Sequence, residues 1–212
     1  MDPHTVDRLR AAADEIVSRP RVEPSGSARG RDRLDDPTST PTRSRGGAGG
    51  KDADGPSAWD SALRLLGVRA RSRSELRTRL LDKEFPPADV DRTLERLAEF
   101  GLLDDAEFAR QWVESRHRTQ GRGRIALRNE LRTKGVDPAV AESALALVDD
   151  EDERARAEDL LARKVGSLTA DDVADRGDRD RHTRRLVAML ARKGYPAGLA
   201  FDLVRSALDD LA

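Results

Sequence analysis

Three stretches of the chain can be laid over one another: "LLDKEFPPADVDRTL", "LRTKGVDPAVAESAL" and "LARKGYPAGLAFDLV". Each has a leucine three residues before a lysine: Leu80, Leu131 and Leu190. Each has an apolar residue two after that lysine (Phe85, Val136, Tyr195), then proline, and another apolar residue eleven after it (Leu94, Leu145, Val204). Lys83, Lys134 and Lys193 stand 51 and 59 residues apart. A period of about fifty residues marks a repeated supersecondary unit. One unit of that size has a small core, so neighbours stack and a linear array results.

The spacing of apolar residues makes each unit helical. "SAWDSALRLLG" puts Trp59, Ala62, Leu63 and Leu66 on one face, with Gly67 as the stop. Ser72 and Glu75 have capping-box spacing, and Leu76, Leu80 and Leu81 follow as an apolar stripe. The third helix opens on proline, carries Val90, Leu94 and Leu97, and stops at Gly101. Asp104 is placed to cap the next helix, which carries Phe108, Trp112 and Val113. "GRIALRNELRTKG" and "DPAVAESALALV" complete a second trio. "DERARAEDLLARKVG", a polar linker near 167–178, "RDRHTRRLVAMLARKG" and "PAGLAFDLVRSALDDL" form a third. No strand alternation occurs, so the fold class is all-α: three tandem three-helix repeats in an elongated array, over 57–103, 104–149 and 150–212. Residues 1–56 are rich in Pro, Gly and Ser and read as a mostly disordered extension. A short helix through Val6, Leu9, Ala13, Ile16 and Val17 precedes the tail.

Several function classes fall away. The chain has no cysteine, which removes disulfides and zinc-thiolate sites and fits a reducing compartment. His4, His117 and His182 lie far apart, so no metal site or other cofactor is expected. No Walker motif occurs, and "GRGR" at 121–124 lacks the strand that a dinucleotide site needs. Asp104 and Asp105 read as a helix cap rather than a catalytic pair. No apolar run reaches membrane-span length and no signal-peptide core is present, so a cytoplasmic protein that is not an enzyme is expected.

Charge is sorted into blocks instead. Arg64 to Arg79 holds six Arg against one Glu; Arg110 to Lys134 holds eight Arg and Lys against two Glu. Between them, Asp82 to Glu107 holds nine acidic and three basic residues. Ion-paired helix exteriors would give such runs. So would an array with one surface for phosphates and another for a protein. Arg124, Arg128 and Arg132 recur every four residues as a stripe. The helix start beside Arg122 and Arg124 offers backbone N–H groups to an anion. With Arg116 and Lys134 these form one candidate patch for DNA or filament contact. Arg69, Arg71, Arg73 and Arg77 form a second. Trp112 suits core packing better than base stacking, with Phe108 four residues before it.

The run Leu103-Asp104-Asp105, Phe108-Ala109, Trp112, Ser115-Arg116, Gly123, Ile125, Glu130-Leu131 and Lys134-Gly135-Val136 resembles the signature of the RecX family. "ALRLLGVRARSRSELRTRL" resembles the opening of that family's first repeat. The likeness runs well over 57–165 and loosely beyond. Glu84 departs from it, standing where the other repeats have Gly135 and Gly194, as does the Asp- and Arg-rich linker. The resemblance implies a regulator of the RecA recombinase, active in DNA recombination, repair and the SOS response. It implies a curved, monomeric rod of three repeats without catalytic residues, lying along the RecA–single-stranded-DNA filament and opposing its extension and activities. Partners are then the RecA filament and single-stranded DNA, with duplex DNA as a further candidate. A stand-alone helical DNA-binding protein is the competing reading, and a scaffold without nucleic acid a distant third.

Overall fold

The computed structural model describes residues 56–211, all helix and turn with no strand among them. The N-terminal helix and tail expected above lie outside the described residues, except for Pro56. Ten helices follow in order: α1 (Ala58–Val68), α2 (Arg73–Leu81), α3 (Pro87–Glu99), α4 (Asp105–Gln120), α5 (Arg124–Thr133), α6 (Pro138–Leu145), α7 (Asp150–Val165), α8 (Asp171–Ala174), α9 (Arg176–Lys193) and α10 (Ala197–Asp209).

Three separate cores divide them. Ala62, Leu66, Leu76, Leu80, Val90, Leu94 and Leu97 from α1–α3 make the first, with Leu103. Phe108, Val113, Leu127, Leu131, Ala141 and Leu145 from α4–α6 anchor the second. Leu161, Leu186, Leu190, Tyr195, Leu203 and Val204 belong to the third, built from α7–α10. Each leucine three before a repeat lysine is fully buried, as the shared pattern requires.

Caps follow the sequence closely. Ser57 and Asp60 form a complete capping box. Ser72 accepts from the Glu75 amide, but the Glu75 carboxylate turns away to Arg69, so the second box is half made. Asp104, Asp137, Asp149 and Asp175 accept amide hydrogens in the first turns of α4, α6, α7 and α9. Gly67 does not stop α1, which runs to Val68 and leaves through extended Arg69. The expected linker near 167–178 is partly helical: α8 sends Val173 into the third core, and α9 starts at Arg176 behind the Asp175 cap. Leu168 packs against the same core, so two apolar residues among charges pin that segment.

After each repeat lysine the second helix ends in the same way. Glu84, Gly135 and Gly194 take left-handed backbone at φ 63, 68 and 91. The amides of Phe85, Val136 and Tyr195 reach back to the carbonyls of Leu80, Leu131 and Leu190. This is the six-to-one bond of a Schellman stop. Glu84, which departs from the glycine of the other repeats, therefore keeps their geometry.

What differs is the neighbour. A Cβ on Gly135 would run into Ser74 at the start of α2, and one on Gly194 into the backbone of Ala126 at the start of α5. Each of these turns sits on the opening of the preceding repeat's second helix. Among the described residues no repeat precedes repeat one, and Glu84 is exposed.

Candidate nucleic-acid interface

The same two junctions position the charged side chains. At the first, Ser72 Oγ donates to the Lys134 carbonyl at 2.5 Å, and the Arg73 amide donates to Asp105 Oδ1 at 2.7 Å. At the second, the Gly123 amide donates to the Lys193 carbonyl at 2.9 Å and the Ile125 amide to the Gly194 carbonyl at 3.2 Å. The Arg124 amide donates to Glu153 Oε1 at 2.7 Å, and its guanidinium to Glu153 Oε2 at 2.8 Å. Buried Tyr195 closes the junction by donating its hydroxyl hydrogen to the Gly121 carbonyl. Burial pushes that phenol up to about 12, with the Glu153 charge adding to the effect.

This geometry corrects two expectations. The start of α5 is not open to an anion, because the third repeat's carbonyls and the Glu153 carboxylate already take its amides. Arg124, Arg128 and Arg132 are not an unpaired stripe. Arg124 is held by Asp150 and Glu153, and Arg128 meets Glu142 through two nitrogens. Only Arg132 of the three is exposed without a carboxylate partner among the described residues. In the other candidate patch Arg77 pairs with Asp91 at 3.0 Å, and the Arg73 side chain is exposed.

The remaining five candidates converge. Arg69 and Arg71 bond Glu75, and Lys134 Nζ reaches the same carboxylate across the junction at 3.3 Å. Lys134 also lies 5.0 Å from the centre of the Trp112 ring, and the Arg116 guanidinium lies 4.4 Å from it. Trp112 donates Nε1–H to Glu130 at 2.9 Å. Arg116 and Arg122 flank that carboxylate at 3.8 and 3.2 Å, the latter too bent for a hydrogen bond. Five cations thus face two carboxylates, a surplus of three positive charges. Two of them, Arg69 and Arg116, line a cleft of ≈ 310 Å³ together with Phe108, Trp112 and Gln120. A larger cleft of ≈ 660 Å³ between α4 and α7 holds none of the ten candidates and mixes both signs.

Trp112 is half-buried rather than a full core residue, because its indole edge is spent on Glu130 and its ring on cations. Sequence spacing missed this cluster, since Glu75 and Lys134 lie 59 residues apart and meet only through repeat docking. Among the described residues no group of three or more His, Asp or Glu side chains is placed to hold a metal ion. No helix among them is long and apolar enough to cross a membrane.

Comparison with known proteins agrees with this architecture. Residues 58–97 match the first three-helix domain of RecX, and 104–145 the second. The chain is 48% identical over 147 residues to the regulatory protein RecX of Mycolicibacterium smegmatis, covering 69% of this chain and 77% of that one. It is 46% identical over 149 residues to the namesake of Streptomyces coelicolor, covering 70% and 76%. The crystal structure of RecX from Lactobacillus salivarius is similar in fold, with a TM-score of 0.56 at 21% identity over 73% of this chain and 94% of that one.

Proposed function

The chain belongs to the RecX family, and from that premise we propose that it is a regulatory protein that restrains a RecA-type recombinase by binding its filament on single-stranded DNA. The observation that carries this reading is the surplus of three positive charges around Trp112, where repeats one and two meet. Arginine forks suit phosphate oxygens, and such contacts position a protein without reading bases. The solvent face of α3 complements it with exposed Glu95 and Glu99, a surface suited to a protein partner. No reaction of its own is needed, and the protein acts as a cytoplasmic monomer.

A stand-alone duplex reader fits less well. In a helix-turn-helix the groove-entering helix closes the trio. Here those helices expose Glu95 and Glu99 on α3, Glu142 on α6, and Asp202 and Asp209 on α10. Acids facing a phosphate-lined groove repel it.

The test is a titration of recombinase ATPase on single-stranded DNA. Wild-type protein below filament stoichiometry should lower the rate, and Arg116→Glu with Lys134→Glu should need at least tenfold more protein. An unaffected rate with wild type would remove the proposal.

A further inference from the structure

Seven arginines on the described helices bond an acid three or four residues away, among them Arg92 with Asp89, Arg118 with Glu114, Arg154 with Glu158 and Arg205 with Asp202. The second half of α9 carries no such bond. Arg184, Arg185 and Arg192 are exposed, and among the described residues none has a carboxylate within ion-pair distance. Arg185 and Arg192 have no acid at three or four residues' spacing, and Asp180, four before Arg184, makes no bond to it. Arg181, on the same face, is neutralised by Asp178 at 2.5 Å. Between the arginines the exposed positions are Ala188 and Ala191.

We propose that this face of α9 is a second phosphate-contacting surface, which takes the backbone of single-stranded nucleic acid. The proposal rests on the reading above and extends it to the third repeat. Arg184 to Arg192 spans about 12 Å at 1.5 Å per residue, enough for more than one phosphate of a strand. The two alanines leave a low floor on which a sugar–phosphate chain can lie. No aromatic side chain is exposed along 181–192, so the contact is electrostatic and indifferent to sequence. Dipole stabilisation accounts for Arg192 at the end of the helix but not for Arg184 and Arg185 in its middle. Unpaired mid-helix arginines repel one another unless an anion joins them.

The experiment measures binding of the full chain to a labelled oligo-dT between 50 and 200 mM salt. Arg184→Ala, Arg185→Ala and Arg192→Ala are combined; alanine keeps the helix. The triple variant should bind at least tenfold more weakly at 50 mM salt. Its plot of log affinity against log salt should be shallower by about 2, three contacts at about 0.7 each. Arg205→Ala on α10 should leave both unchanged. A triple variant with wild-type slope overturns the proposal. If Arg116→Ala with Lys134→Ala flattens the slope and the triple does not, the junction cleft stands and α9 falls. If the triple loses binding to DNA-free recombinase with its DNA slope intact, this face takes an acidic protein and the proposal is likewise overturned. The ATPase titration reports separately on the regulatory reading.

Discussion

The amide of Arg124 and its own guanidinium both end on one buried carboxylate, that of Glu153, which is 1% exposed. A residue at the start of a helix in repeat two is thereby capped by a side chain of repeat three. Removing one partner of a buried charged hydrogen bond leaves the other desolvated and unmatched. Glu153→Gln should cost about 2 kcal/mol, or roughly 4–8 °C in melting temperature for a chain of this size. Calorimetry of the full chain checks this. An unchanged melting temperature would mean that solvent replaces the bond and that the junction is loose.

The repeat turns make a contrasting prediction. Gly194→Ala places a Cβ in left-handed backbone, at roughly 1–2 kcal/mol, and drives it into the Ala126 backbone. A loss of about 3 kcal/mol or more is expected, as for other strained core positions. Glu84→Gly relieves the same backbone strain in a turn that docks on no repeat among the described residues, so a gain of up to about 1 kcal/mol is expected. Urea unfolding midpoints of the two variants should move in opposite directions.

Much of this fold was legible because helix periodicity, caps and the repeat are local signals. Leu80, Leu131 and Leu190 announced the three cores, and Asp104 its helix start. Pairing across junctions was not legible. Glu153 sits in "DDEDER", where nothing local separates the buried acid from its exposed neighbours. Arg124 and Arg128 looked like an open stripe because their partners lie 29 and 14 residues away. Glu84 stands where the other repeats have glycine, yet its left-handed backbone is tolerated because its side chain is exposed.

Acid should reveal the first junction. Burial pushes the Glu75 carboxyl up, but the bond and charge of Arg69, with Lys134, outweigh it and hold it below its ordinary 4.5. Its pKa is therefore lower folded than unfolded. The stability it adds is full above the unfolded value and is lost as pH falls through the folded one. Asp105 behaves oppositely: burial raises its pKa above 3.8 despite the Arg73 amide, so its contribution is lost as pH rises through the raised value. Glu75→Gln should flatten the fall of melting temperature between about pH 5 and pH 3. Asp105→Asn keeps an oxygen for the Arg73 amide and should cost little at pH 7. A melting curve of Glu75→Gln that falls as steeply as wild type would detach Glu75 from its cations.

The chain's two tryptophans sit in different electrostatic settings, which allows the cleft to be watched directly. Trp59 packs edge-on against Phe100 with Arg96 at 4.4 Å, within the first repeat. Trp112 touches Arg116 and Lys134 at the junction cleft. A cation over an indole is held by about 0.5–1 kcal/mol at an exposed site, less than a charge-assisted phosphate bond of about 1.5–3 kcal/mol supplies. Single-stranded DNA should therefore draw Arg116 off the ring. Trp59→Phe leaves Trp112 as the sole reporter, and its emission should change on titration with oligo-dT. Trp112→Phe leaves Trp59, whose emission should stay constant. A change carried by Trp59 instead would move the strand away from the cleft and towards α1 and α3.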